Sequence, residues 1–482
     1  MSELKKRYGL FTAICMVVGI VIGSGVFFKA QDILVVTEGN MLQGILAWFV
    51  GGVVMLLCVL AFSVMAQKYE KVNGVVDYAE VTMGSKYGYF IGWFLTFLYY
   101  PTMTSVLSWL CARYTITFIC SANPDFALHI AASEGGAVFG PECMTLACLF
   151  LVLSFAINAL SPKLAGKIQV STTVIKLVPL ALMAVIGTIY GITHPAESVD
   201  TSILVNNFSH EVQSWDLLFP AVVATAFAYE GWIVATSINA ELKNAKRNLP
   251  IALIVGALVI IAVYIFYFIG VAGGASVETL IKDGATVAFV NVFGPVFGNI
   301  LNLFVAISCM GTLNGLMLGC SRGLYSISVR GYGPNPNVFS QVDKGTNMPA
   351  NSCIVAALLS AGWLFYFYCS QLAPKSWFGI FTFDSSELPI VTTYAFYIPI
   401  FIAFMVKEKK LHPVKRFLLP SLAIIGSGFM VFAAVYAHGI RPYMQAAEKG
   451  EFNCPVIFYL IIFAVIMFLG IFFADKKKNR KA

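Results

Sequence analysis

Three small residues in a row, Gly23, Ser24 and Gly25, lie inside an apolar stretch that runs from about residue 9 to residue 36. Glycine is costly in a helix interior because it gains most freedom when the helix melts. In a bilayer, broken backbone survives only where protein or a cavity surrounds it. An interrupted helix would expose amide N–H groups at one half-helix end and carbonyls at the other. Those ends suit a carboxylate and an ammonium, the two groups that every α-amino acid carries. Close helix packing through Gly19 and Gly23 is the competing reading of the same residues.

A second interruption is expected at Phe227-Ala228-Tyr229-Glu230-Gly231-Trp232, again amid apolar neighbours. A carboxylate at mid-membrane is expensive and normally faces the interior. Glu230 could bind a cation there, or stay protonated and hydrogen-bond its neighbours. Lys176 lies about 15 Å of helical rise beyond Lys167, too deep to snorkel easily to the surface. Helix-end carbonyls could satisfy its ammonium, a role that in a transporter would replace a bound sodium ion. Asn314, in the middle of another apolar run, could face a substrate or bond a neighbouring helix. Residues 239–250, with Glu241, Lys243, Lys246 and Arg247, read as a charged loop before a proline-started helix; a gate salt bridge is the alternative.

Long apolar helices must position these groups. The chain is 59% hydrophobic and 11% charged, with mean hydropathy +0.82, which excludes a soluble globular protein. About twelve spans are expected: 9–37, 41–67, 88–119, 143–161, 166–191, 216–240, 249–273, 288–328, 350–372, 386–406, 417–440 and 453–474. Ten spans followed by two fit a five-plus-five inverted repeat with an appendix: residues 1–191, then 216–406, then two helices over 417–474. No connection is long enough to fold alone, so residues 1–482 read as a single membrane domain. The first span is too long for a signal-peptide core and lacks its exit motif.

Placing the N-terminus inside puts 24 of the 31 Lys and Arg residues on the inner face and six outside, Lys29 among the six; Lys176 is the remaining one. Both termini are therefore expected in the cytoplasm of a multi-pass protein of the cell membrane. The net charge of +7 is a topology signal, since scattered loop charges do not make a nucleic-acid surface. The eleven cysteines read as small packing residues, although Cys120 and Cys143 flank the long outer segment and could pair. The five histidines show no metal-ligand spacing, and no nucleophile elbow or phosphate loop is present. No cofactor is expected. A polytopic membrane enzyme lacks a catalytic cluster here, and a channel lacks a recognisable filter.

In combination these motifs resemble the amino acid–polyamine–organocation permeases, in particular the bacterial L-type amino acid transporters of the serine/threonine-exchanger kind. The likeness covers nearly the whole chain. It rests on Gly23-Ser24-Gly25-Val26-Phe27, on FAYEGW followed by ELKNAKRNLP, on Leu313-Asn314-Gly315 followed by Ser321-Arg322, and on Gln169 with Lys176 seven residues later. The chain departs from the pattern at Lys243-Asn244-Ala245, where a proline is usual. It departs again at Lys71-Val72-Asn73-Gly74-Val75, which puts the shape of that inner loop in question. The resemblance implies an all-α, leucine-transporter-type fold. It implies a substrate carboxylate on the amides of Ser24, Gly25 and Val26, and an amino group on the carbonyls of Val21, Phe227 and Glu230. Gly23, Ala228, Tyr229 and Asn314 complete the expected substrate-binding set. Lys176 would stand at the second sodium position of sodium-coupled relatives. The activity implied is sodium-independent exchange of neutral amino acids by alternating access, with membrane lipid around the chain and no obligatory heavy subunit. Proton- or sodium-coupled symport, and exchange of cationic amino acids or polyamines through Glu230, remain the alternatives.

Overall fold

A computed structural model describes residues 9–69, 74–196, 200–233, 242–346 and 348–474. The apolar runs form helices: α1 (Leu10–Val21), α2 (Gly25–Val36), α3 (Met41–Lys68), α4 (Ser85–Ala122), α5 (Pro141–Leu160), α6 (Pro162–Ile175) and α7 (Leu177–Thr193). They continue as α8 (Leu218–Tyr229), α9 (Ala245–Gly274), α10 (Ala285–Ser321), α11 (Ala350–Leu372), α12 (Leu388–Lys407), α13 (Val414–Ala447) and α14 (Pro455–Phe472). Among the described residues nine helices are long and apolar enough to cross a bilayer. Three shorter apolar helices fall at the first, fifth and sixth expected spans. The chain is an all-helical, multi-pass membrane protein of about twelve spans.

Local sequence explains the helix ends. Asn40 caps α3 by accepting from the Gln43 amide at 2.8 Å, and prolines open α5 and α14 at positions where a missing N–H costs nothing. The fifth span, expected unbroken over 166–191, is interrupted at Lys176. Pro179 explains this, because it offers no N–H to the carbonyl of Ile175 four residues earlier. In α10 the backbone kinks at Gly294, at φ +80°, immediately before Pro295.

The helices fall into two compact units, each discontinuous in sequence. The first comprises residues 1–84, 176–301 and 390–437. It holds both expected interruptions, with α3, α7 and α9. Its interior carries a trio of rings: Trp48 lies 5.3 Å from Tyr264 and 5.8 Å from Tyr229. The second unit comprises residues 85–175, 302–389 and 438–482. Within it the Tyr89 hydroxyl donates to Gly470 at 2.7 Å and the Trp93 indole to Ile466 at 2.8 Å, which fastens the last helix to α4.

One alternative left open by the sequence is closed here and one expectation is corrected. Cys120 and Cys143 do not pair: all eleven cysteines are free, Cys143 is buried, and Cys120 is half-buried on a different helix. Lys29 is not an outer-loop residue. It lies in α2, one turn past the Gly-Ser-Gly run, and is 2% exposed. Glu241 of the charged segment, Lys71, Val72 and Asn73 of the inner loop, and the basic residues of both tails lie outside the described residues.

Candidate substrate site

The first interruption occurs where the sequence places it. α1 ends at Val21, Ile22 turns to an extended conformation (φ −64°, ψ 105°), and α2 restarts at Gly25. The amides of Phe27 and Phe28 both return to the Ser24 carbonyl, at 3.1 and 3.2 Å. The amides of Ser24, Gly25 and Val26 have no acceptor among the described residues. Ser24 Oγ is likewise fully buried and without a hydrogen-bond partner. A buried donor left unpaired is expensive, so this concentration of donors is suited to an anion.

The second interruption follows the same logic. α8 stops at Tyr229, Glu230 is extended (φ −72°, ψ 160°), and Gly231 takes φ +99°, a conformation that favours glycine. The two breaks touch. A Cβ on Gly25 would lie 2.6 Å from the Cα of Ala228 and 3.0 Å from its nitrogen, with the Phe227 ring edge also at 3.0 Å. Only glycine permits this approach of the amide-rich end of α2 to the carbonyl-rich end of α8. Donors and acceptors of both breaks are thereby gathered in one place.

Tyr264, on α9, holds the pair from beneath. Its hydroxyl donates to the Ala228 carbonyl at 2.9 Å and lies 3.3 Å from that of Val21. Tyr229, expected within the substrate set, is fully buried and donates its hydroxyl to Trp48 at 2.7 Å. Phe227 is buried beside α2, and Val21, Gly23 and Val26 line the first break.

Lys176 sits at the start of α7 with its ammonium on the Gly19 carbonyl at 2.5 Å, and is 2% exposed. Gly19 lies in the last turn of α1, where carbonyls lack intrahelical partners. A cation at this point complements the helix dipole and joins the fifth span to the first break. Among the described residues Lys29 is the other buried cation of this unit. It pairs with Asp32 at 3.0 Å and lies 4.9 Å from the Phe28 ring centroid and 5.7 Å from that of Phe227.

Glu230 is partly exposed and lies near enough to Cys58, Tyr394 and Tyr397 to act on each electrostatically. Asn314 belongs to the second unit. There its amide nitrogen donates to Ala165 at 3.0 Å and its carbonyl oxygen accepts from Asn158 at 2.9 Å. Helix-to-helix bonding thus accounts for both of its polar ends. Among the described residues no group of three or more His, Cys, Asp or Glu side chains could hold a metal ion.

Lys29, Asp32 and Tyr264 escaped the sequence reading. Lys29 and Asp32 carried a signal, a charged pair three residues apart inside an apolar stretch, but the count of Lys and Arg by membrane face placed Lys29 outside and left Asp32 unread. Tyr264 stands in a run of aromatic and aliphatic residues that nothing local distinguishes.

Comparison with known proteins bears on the whole chain. The amino acid permease profile matches residues 8–468. The serine/threonine exchanger SteT of Bacillus subtilis (strain 168) is 28% identical over 441 residues, which is 89% of this chain and 91% of that one. The Asc-type amino acid transporter 1 of Mus musculus is 27% identical over 351 residues, covering 72% of this chain and 63% of that protein. The cystine/glutamate transporter of Homo sapiens is 23% identical over 354 residues, 72% and 66% respectively. The chain thus spans a little under two thirds of the length of these two mammalian relatives.

Proposed function

The chain belongs to the amino acid permease family, and on that premise we propose that it exchanges small neutral amino acids across the cell membrane, without sodium, by alternating access. The substrate carboxylate accepts from the amides of Ser24, Gly25 and Val26. Its ammonium donates to the carbonyls of Val21, Phe227 and Glu230, and meets the Tyr264 hydroxyl as a competitor at Val21. Both termini lie in the cytoplasm, residues 1–191 and 216–406 are the inverted repeats, and the chain works without a heavy subunit. One observation carries the reading: the two broken helices meet at Gly25 and Ala228, with unpaired amides on one side and helix-end carbonyls on the other. The name of the bacterial relative, a serine/threonine exchanger, supports small neutral substrates.

Sodium independence is supported by Lys176. A tethered ammonium on Gly19 occupies the end of α1 with a charge that cannot diffuse away. It can link the broken helix to α7 throughout the cycle without an ion gradient. The test uses purified protein in vesicles preloaded with single amino acids. Efflux of labelled serine, threonine or alanine should require an amino acid outside and persist when sodium is replaced by choline. Efflux that needs sodium refutes sodium independence, and efflux that runs equally fast into amino-acid-free buffer refutes exchange.

A further inference from the structure

We propose that Lys29 is a specificity-determining residue that admits amino acids with an acidic side chain as additional substrates, its ammonium taking their second carboxylate in place of Asp32. The inference rests on the reading that the α-carboxylate binds at the start of α2. Lys29 follows Gly25 by four residues, so the two share a helix face, separated by about 6 Å of rise. The Phe227 ring lies near both residues. Its edge is 3.0 Å from the place of a Gly25 Cβ, and its centroid is 5.7 Å from Lys29 Nζ. α2 therefore carries two anion-attracting groups, unpaired amides in its first turn and a buried ammonium on the residue one turn later. A dicarboxylic amino acid offers one carboxylate to each group. The buried, partnerless Ser24 hydroxyl at the first group independently marks a place where a polar ligand is expected.

The asymmetry of the ion pair makes the exchange of partners feasible. The Lys29 side chain is 3% exposed, whereas that of Asp32 is 33% exposed. A buried charge must keep a counter-charge, but here the counter-charge is the member that water can receive when it is displaced. A neutral substrate leaves the Lys29–Asp32 pair intact and relies on the main-chain groups alone. An acidic substrate substitutes its own carboxylate for Asp32 and gains a charge-assisted hydrogen bond.

The experiment measures exchange of serine, aspartate and glutamate by the full chain in vesicles, as the glutamate-to-serine ratio of kcat/KM. Wild type should exchange all three. Lys29→Met should lower the ratio roughly tenfold or more, the loss of one charge-assisted bond. Lys29→Arg should keep it within a few-fold of wild type, and Asp32→Asn should raise it, through a lower KM for glutamate. Serine exchange with neither acidic amino acid accepted overturns this proposal and leaves the reading of the site standing; no exchange of serine either overturns that reading itself. A Lys29→Met variant that lowers both substrates equally identifies the lysine as a structural cation and refutes the proposal. If that variant does not reach the membrane, Asp32→Asn decides: an unchanged ratio refutes the proposal and a raised one supports it.

Discussion

A methyl group at Gly25 would stand 2.6 Å from the Cα of Ala228, closer than real side chains approach backbone. Backbone cannot swing aside as a side chain can, so Gly25→Ala should destabilise by about 1–3 kcal/mol, the usual range for overpacking. Gly25→Leu should abolish substrate binding, seen as loss of the serine-induced thermal shift in detergent; a preserved shift would move the site elsewhere. Lys176→Ala removes the ammonium from the Gly19 carbonyl and leaves a buried acceptor unsatisfied, a cost of about 1–3 kcal/mol. Its effect should fall on turnover more than on expression, because the lost bond joins the fifth span to the broken first helix. Equal losses in both would make Lys176 a packing residue. Glu230→Gln preserves shape and removes charge. Serine exchange should remain near normal, since the expected contact there is the main-chain carbonyl. Competition by arginine or lysine that vanishes in this variant would instead place cationic substrates at the carboxylate.

At the scale of elements, the site consists of two helix ends held together by a third helix. Tyr264→Phe deletes the hydroxyl that serves Ala228 and approaches Val21, with the ring kept against Trp48. The expected cost is about 0.5–1.5 kcal/mol of stability. Exchange should slow as well, because the relative position of the two ends is then less fixed; unaltered kinetics would show that packing alone sets it. Both breaks were legible in the sequence because Gly23-Ser24-Gly25 and Gly231 act through their own backbone. The interruption at Lys176 was equally local, through Pro179, but a continuous apolar run concealed it. Tyr264 was not legible: its partners lie 36 and 243 residues away, and only the fold brings them together. Lys29 was misplaced for a related reason. A count of basic residues assigns each lysine to one membrane face, and only the fold shows Asp32 and the rings of Phe28 and Phe227 beside this one.

For the whole molecule, hydropathy locates about a dozen apolar runs because the bilayer demands about twenty apolar residues per crossing, and among the described residues nine form helices of that length while three are shorter. The grouping of those helices into two units, each discontinuous in sequence, was invisible to that reasoning, since hydropathy carries no information about which helices pack together. The central claim is that the paired breaks bind the amino acid through main-chain groups. Hydrogen exchange of the protein in nanodiscs, with and without saturating serine, reads those groups directly. The amides of Ser24, Gly25 and Val26 should exchange more slowly in the presence of serine, together with the segment around residues 227–231, and protection should be absent in Gly25→Leu. Serine binding that leaves those amides unprotected would contradict the account.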